Sequence, residues 1–181
     1  GSGAADFSFI TAGDMRHCVG PAPAGKRYFD GLCEAVRSVG AGAFMISPGD
    51  VDPPGPVRAT IDRYLGTNYL WYPALGNHEI ERKGTMAWFH RWAQAGIPHL
   101  VRRGPRGSEG TTYSFDFANS HFVVLNDYYN GRSDAVRQDD VPTKEFAWLK
   151  ADLAATDKPL RWVIAHAPLK SLPDMHTGRR R

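Results

Sequence analysis

Four side chains that could bind a divalent metal ion each follow a short apolar run in this sequence. They are Asp14, Asp50, Asn77 and His166. Glycine directly precedes three of them, where it allows a sharp turn or a close approach of the backbone to an ion. Carboxylate and amide oxygens together with an imidazole suit manganese, iron or zinc. The set therefore predicts a metal site.

The run Gly76-Asn77-His78-Glu79 is the most specific of these signals. A Gly-Asp pair alone is common in turns, and Asp14 or Asp50 could instead serve as a helix N-cap. His166 could equally be a buried histidine with satisfied hydrogen bonds, and Asn77-His78 a plain turn. The order of the four residues, each after an apolar run, favours one shared site over these separate explanations.

A shared site requires strands that end at one edge of a sheet. Apolar β-prone runs predict strands at residues 7–11, 43–47, 69–75 and 160–165. Helical spacing and start and stop signals predict helices at about residues 27–39, 56–65, 85–95 and 142–155. Strands that alternate with helices indicate β-α-β units with parallel pairing. Sites in such sheets lie beyond the carboxyl ends of the strands, where all four candidate ligands stand.

A second type of unit follows in the chain. Residues 112–117 and 121–126 alternate well enough to form two strands, and the short turn between them predicts an antiparallel hairpin. The polar loop at 127–141 is long, so we interpret it as a substrate-side or mobile loop, with Tyr128 and Tyr129 as candidates for substrate contact. Other aromatic side chains are expected in the core: Trp71, Tyr72, Trp88, Phe89 and Trp92.

The length and the amino-acid composition, with 42% hydrophobic and 23% charged residues, are those of one soluble globular domain over residues 1–181. No apolar run approaches the roughly 20 residues that cross a bilayer. The net charge of +3 comes without a basic, aromatic-interleaved repeat, so a nucleic-acid partner is not favoured. Cys18 and Cys33 form no zinc pattern. They are either a disulfide or two buried thiols.

The segment Val163-Ile164-Ala165-His166-Ala167-Pro168 completes a series of motifs in a familiar order. With the two Gly-Asp pairs and Gly76-Asn77-His78-Glu79, the chain resembles the calcineurin-like metallophosphoesterases of the purple-acid-phosphatase-like superfamily. The resemblance extends from Asp14 to Pro168. It implies an α/β fold in which two mixed β-sheets pack face to face and are flanked by helices, a four-layer αββα sandwich.

The resemblance also implies a role for each matching residue. Asp50 would bridge two divalent or trivalent metal ions, Asp14 would bind the first ion, and Asn77 and His166 the second. His78 would face the phosphate and protonate the leaving oxygen or stabilise its charge. A hydroxide between the ions would attack a phosphomonoester or phosphodiester in line, and the substrate would be a phosphorylated small molecule or a diester. The residues do not decide between the two substrate classes.

The first motif departs from the family pattern. The family has Asp-x-His there and this chain has Asp14-Met15-Arg16, so one expected imidazole ligand is missing. His17 is the nearest imidazole in the sequence. The Arg16 guanidinium could contact the substrate phosphate, because its fork matches phosphate oxygens, or it could form a salt bridge behind the ligands.

The family's closing Gly-His-x-His motif is not found before Arg181, and His176-Thr177-Gly178 does not replace it. We therefore expect a truncated domain that lacks its last portion, with Gly1-Ser2-Gly3 as a cloning remnant. The compartment is not fixed, although secretion or a periplasmic location is slightly favoured over the cytoplasm. The alternative to a hydrolase is a non-catalytic scaffold of the same fold.

Overall fold

The structure is a computed structural model that describes residues 6–16, 24–136 and 141–167. Every helix and strand predicted from the sequence is present within a few residues of its expected bounds, and one strand was not predicted. In chain order the elements are β1 (Ile10–Thr11), α1 (Ala24–Val39), β2 (Phe44–Ser47), α2 (Pro54–Leu65), β3 (Leu70–Pro73), α3 (Lys83–Ala95), β4 (Leu100–Arg103), β5 (Tyr113–Phe117), β6 (Ser120–Val124), α4 (Thr143–Ala155) and β7 (Leu160–Ile164).

The first sheet consists of β1, β2 and β3 in that order, and all three strands run parallel. Ile10 pairs with Met45 across β1 and β2, while the extended run predicted from Phe7 enters the ladder only at Ile10. Before it, the Ala43 N–H donates to the Ser8 carbonyl over 2.8 Å. Parallel strands bring their carboxyl ends to one edge, as the β-α-β prediction requires.

The second sheet has the order β4-β5-β6-β7 and is mixed. β5 and β6 form the predicted antiparallel hairpin, and β7 then pairs with β6 in parallel. The unpredicted strand β4 pairs with β5 through an irregular register between Leu100 and Arg102. Among the described residues, mixed pairing is confined to this second sheet.

The two sheets pack face to face through a cluster of aromatic side chains. Tyr72 of the first sheet stacks on Phe115 of the second, with ring centroids 3.6 Å apart and planes 3° apart. Phe44 meets the edges of Phe115 and Phe122 at 5.7 and 5.3 Å. Such rings bury large apolar areas and contribute further through their offset and edge contacts. This cluster holds the two sheets together.

Helices cover the outer faces of both sheets and complete the four layers. On the first sheet, α1, α2 and part of α3 pack on Met45 and Trp71, with Trp71 buried as predicted. Cys33 is a buried thiol in α1, and burial raises its pKa to about 11. Cys18 lies outside the described residues, so the disulfide alternative is untested. The predicted α/β fold with two packed sheets is confirmed.

The contact between α4 and the second sheet is polar. Ser114 donates to Asp152 of α4 over 3.1 Å. The ring of His121 is fully buried and lies with its two nitrogens 2.7 Å from Asp116 and 2.9 Å from Asp152. His121 therefore has a structural role between the second sheet and α4. None of the described helices has the length and apolar character that crossing a membrane requires, and the predicted secreted or periplasmic location stays a prediction.

Glu145 of α4 is a buried carboxyl at this contact that makes stability depend on pH. Its Oε1 accepts hydrogen bonds from the Thr112 hydroxyl and the Asn126 N–H. Its Oε2 has no hydrogen-bond partner among the described residues. Burial raises the pKa of Glu145 to about 7, from 4.5 in the exposed group. The folded chain therefore binds more protons than the unfolded chain between these two values, and stability falls as the pH rises through that interval.

We expect Glu145→Gln to remove this loss of stability at higher pH. The amide oxygen still accepts the two hydrogen bonds, and the side chain carries no charge that burial could penalise. Relative to the variant, the wild-type chain should lose up to about 3 kcal/mol of unfolding free energy between pH 5 and pH 8. Urea unfolding across that range measures the difference. Glu34→Gln, on the exposed side of α1, is the matched control and should follow the wild type. Parallel curves for wild type and Glu145→Gln would contradict the prediction.

Candidate metal site

The predicted ligands come together at the carboxyl edge of the first sheet and beside the end of β7. Asp14, Asp50 and His166 each present a ligand atom, and these three atoms lie within 4.8 Å of one another. The fourth predicted ligand joins them, since Asn77 Oδ1 is 3.3 Å from His166 Nε2. Four loops after four separate strands thus supply one cluster of donor atoms. Neither aspartate is explained as the cap of α2, whose N-cap is Pro53.

The two aspartates have unusual backbones. Asp14 has φ 57° and Asp50 has φ 54°, so both lie in the left-handed region. Residues other than glycine adopt it rarely, although aspartate tolerates it better than most. Strained backbones of this kind occur preferentially at functional sites, where the surrounding structure holds them. Here they turn both carboxylates toward His166.

Two of the glycines before the ligands are needed because other groups come close to them. Gly49 has φ 98°, and a Cβ there would lie 2.5 Å from His166 Nδ1. A Cβ on Gly76 would lie 2.5 Å from the backbone nitrogen of Asp50 and closer still to its Oδ1. The glycines therefore let the three ligand loops pack against one another without intervening side chains.

Glu79 joins two of these loops through three buried hydrogen bonds. Its Oε2 accepts from the N–H groups of Asp50 (2.9 Å) and Gly76 (2.5 Å), and its Oε1 accepts from the Val51 N–H (2.8 Å). Burial raises the pKa of Glu79 to about 7, while the three donors act in the opposite direction. By accepting these three hydrogen bonds, the Glu79 carboxyl fixes the ends of β2 and β3 relative to each other, next to the candidate ligands Asp50 and Asn77.

His166 is oriented by groups that leave one ring nitrogen for the site. Its Nδ1 lies 2.9 Å from the Pro48 carbonyl oxygen, which can only accept a hydrogen bond. In the neutral ring, Nε2 then carries the lone pair and points toward Asn77 Oδ1 and Asp50 Oδ1, at 3.3 and 3.6 Å. Hydrogen bonding of this kind behind the ring is typical of histidines that bind metals.

The composition of the cluster fits a cation. The carboxylates of Asp14 and Asp50, the Asn77 amide oxygen and the His166 Nε2 lone pair are all acceptors, and they face one another within a few ångströms. Such a set repels itself unless a positive charge lies between its members. Oxygen donors with one imidazole are compatible with manganese, iron or zinc. The described residues therefore fit a metal ion at this position.

Arg16 lies beside the cluster and pairs with a buried carboxylate. Its Nε and Nη2 donate to the two oxygens of Asp52 over 2.8 and 3.4 Å, and the Asp52 side chain is 1% exposed. This hydrogen bond is the main cause that raises the pKa of the Arg16 guanidinium. Of the two roles left open by the sequence, the salt bridge is thus present in the structure, while the contact with phosphate stays a prediction.

His78 contacts this guanidinium. Its Nε2 lies 3.1 Å from Arg16 Nη1 and 3.7 Å from Asp50 Oδ2, and its Nδ1 lies 3.1 Å from Glu81. A guanidinium can only donate, so Nε2 accepts here and the ring proton lies on Nδ1. The role of His78 as a proton donor to a substrate stays a prediction. Through Nε2, that role requires Arg16 Nη1 to move away.

Asp127 is a residue of the site that the sequence analysis missed. Its Oδ2 accepts from the N–H groups of His166 (2.9 Å) and Ala167 (2.7 Å), so it fixes the loop that carries His166. Its place just after β6, next to β7 in the sheet, is the signal that could have identified it.

The interpretation of Tyr128 and Tyr129 as candidates for substrate contact is wrong. Both are at most 1% exposed, because their rings pack inward against the core and the Arg106 carbonyl.

Some residues discussed from the sequence lie outside the described parts of the chain. They are Gly1-Ser2-Gly3, His17, Cys18, Pro168 and His176-Thr177-Gly178. No family model matches the chain.

Two curated proteins of Arabidopsis thaliana are similar to part of the chain. Purple acid phosphatase 22 is 30% identical over 123 residues, which is 63% of this chain and 25% of that protein. Purple acid phosphatase 21 is 30% identical over 151 residues, which is 74% of this chain and 31% of that protein. The chain thus spans about a quarter to a third of the length of these relatives. The similarity supports a metallophosphoesterase-like relationship.

Proposed function

We propose that this chain is a metal-dependent phosphoester hydrolase that acts on phosphomonoesters or phosphodiesters. The observation that carries the proposal is the convergence of Asp14, Asp50 and His166 within 4.8 Å, with Asn77 beside them. The names of both relatives state a phosphatase activity, which supports the same reaction class over the part of their length that the chain matches.

The four converging residues would hold the metal. When bound, metal ions activate water for attack on phosphorus and neutralise the phosphoryl oxygens. Asp50 would be the central ligand, because its Oδ1 lies 3.6 Å from His166 Nε2 while its Oδ2 lies 3.7 Å from His78 Nε2. Manganese, iron and zinc all fit the donor set.

The side chains beside the metal site would bind and orient the phosphoryl group. The His78 side chain is 26% exposed, so a substrate can reach it. In our proposal it donates a proton or a hydrogen bond to the leaving oxygen. Arg16, 23% exposed, supplies N–H groups of a planar fork that matches phosphate oxygens.

The proposal predicts that Asp50→Asn loses both metal and activity. The amide removes a negative charge and one strong donor from the centre of the cluster, so we expect hydrolysis of aryl phosphomonoesters and diesters to fall roughly 100-fold or more. Elemental analysis of the purified chain gives the metal content, and release of the aryl alcohol gives the rate.

Asp157→Asn makes the same chemical change at an exposed position after α4 and should keep wild-type metal and rate. Circular dichroism establishes that both variants are folded. Negligible metal and no hydrolysis in the wild-type chain would contradict the proposal and would favour the non-catalytic scaffold. Equal activity in wild type and Asp50→Asn would also contradict it.

A further inference from the structure

The two oxygens of Asp50 have different surroundings. Oδ1 is 3.6 Å from His166 Nε2, on the side where Asn77 also lies. Oδ2 is 3.7 Å from His78 Nε2, and Arg16 lies on this other side. A carboxylate that bridges two metal ions presents one oxygen to each ion, so both sides would need further free ligand atoms.

The Oδ1 side has such atoms. His166 Nε2 lies 3.6 Å from Oδ1, Asp14 presents a ligand atom within 4.8 Å of that of His166, and Asn77 Oδ1 adds a neutral donor. Four protein donors are enough to hold one divalent ion and still leave positions for water or substrate. The described residues thus provide one well-supplied position.

The Oδ2 side presents a cation instead. Arg16 Nη1 donates to His78 Nε2 over 3.1 Å, which occupies the lone pair of that imidazole. The rest of the fork pairs with both oxygens of Asp52, whose side chain is 1% exposed. Two side chains that could have offered ligand atoms are therefore already engaged by a guanidinium that cannot give up its charge.

The charges on the two sides differ. One divalent ion would balance the carboxylates beside His166, while on the other side the Arg16 guanidinium faces Asp52 and also attracts the carboxylates of Asp50 and Glu81. A second metal ion near Oδ2 would lie beside a fixed positive charge in a partly buried place, where like charges repel more strongly than in water. Its position would have to be shared with Arg16.

We infer that Arg16 supplies the second positive charge of this site, so that the cluster binds one metal ion and not the two that the family resemblance implies. The inference rests on the proposed function, because it concerns the composition of the same site. Arg16 then has a chemical role beyond its salt bridge: with one metal ion, its fork would share the negative charge of a phosphoryl group.

Titration with Mn²⁺ alone tests the inference without reference to turnover. We expect one equivalent of Mn²⁺ per wild-type chain by calorimetry, and the electron paramagnetic resonance spectrum of an isolated ion. Arg16→His removes the charge and supplies an imidazole next to Asp52. We expect this variant to bind a second equivalent and to show the broadened spectrum of a spin-coupled pair.

Two further variants make the result specific. Arg16→Lys keeps the positive charge and should keep one equivalent. Arg91→His makes the same substitution on the exposed side of α3 and should also bind one equivalent as an isolated ion. Circular dichroism shows which variants are folded, and the wild-type stoichiometry alone is decisive if Arg16→His does not fold.

The outcomes separate the inference from the proposed function. Two equivalents and a spin-coupled pair in the wild-type chain would overturn the inference and leave the hydrolase proposal standing. A single equivalent in a folded Arg16→His variant would show that the guanidinium does not exclude the second ion, which also overturns it. Failure of the wild-type chain to bind Mn²⁺ or any other metal would overturn the proposed function, and the inference with it.

Discussion

Replacing Glu79 with alanine is expected to destabilise the fold by about 4 kcal/mol or more, because it leaves three buried N–H groups without an acceptor. These donors belong to Asp50, Val51 and Gly76, at the ends of two neighbouring strands. Each unsatisfied buried group costs about 1–3 kcal/mol. The loss is thus comparable to the whole stability of many domains.

Urea unfolding at pH 5 measures this effect, because the carboxyl, with its pKa of about 7, is then mostly neutral, still accepts the hydrogen bonds, and adds no cost of ionising a buried group to the wild-type chain. The same variant should bind Mn²⁺ at least about tenfold more weakly, since Asp50 is no longer held in place. Glu79→Gln keeps one acceptor oxygen and should lose less. Glu34→Ala, at an exposed position of α1, controls for the loss of a glutamate. A loss below about 1 kcal/mol in Glu79→Ala would refute the role assigned to the three hydrogen bonds.

The candidate metal ligands could be identified in the sequence because each belongs to a short local pattern. An apolar run followed by Gly-Asp or Gly-Asn-His fixes both a strand and the place where it ends. Parallel pairing then brings those ends to one edge, whatever the details of the packing. The convergence of Asp14, Asp50 and Asn77 follows from these two facts, whereas His166 comes from the end of β7 in the second sheet and joins them only because the two sheets pack face to face.

The features that were missed depend on contacts between distant parts of the chain. β4 reads Leu100-Val101-Arg102-Arg103, which has neither an apolar run nor a clean alternation, and only its pairing with β5 makes it a strand. Tyr128 stands in a polar loop, where an exposed ring is the usual expectation. It is buried because Asn126 holds the loop inward, through its own amide and the Tyr128 N–H.

Arg16 shows the same limit at the site itself. The motif places it two residues after Asp14, and its guanidinium suits either a phosphate or a carboxylate. The choice depends on Asp52 and His78, which are 36 and 62 residues away in the chain. The family pattern identifies the histidine that is missing at position 16. The role of Arg16 in its place follows only from the contacts that its guanidinium makes.

Gly76→Ala is expected to disturb the site more directly than any change of charge, because the new methyl group would overlap Asp50. The Cβ would lie 2.5 Å from the Asp50 backbone nitrogen, and a backbone atom held by Glu79 cannot move aside as a flexible side chain could. We expect a loss of about 3 kcal/mol in unfolding free energy, which is typical of overpacking a rigid interior.

The displaced Asp50 carboxylate should also weaken Mn²⁺ binding at least about tenfold in calorimetry, since small shifts of the groups that position a ligand already cost this much. Gly31→Ala is the matched control: it lies in α1, and nothing within 4 Å would meet its Cβ. That variant should gain up to about 1 kcal/mol from its better helix propensity and bind Mn²⁺ as the wild type does. If Gly76→Ala instead matched Gly31→Ala in both stability and metal affinity, the close packing of the β2 and β3 loops would not be what holds Asp50 in the site.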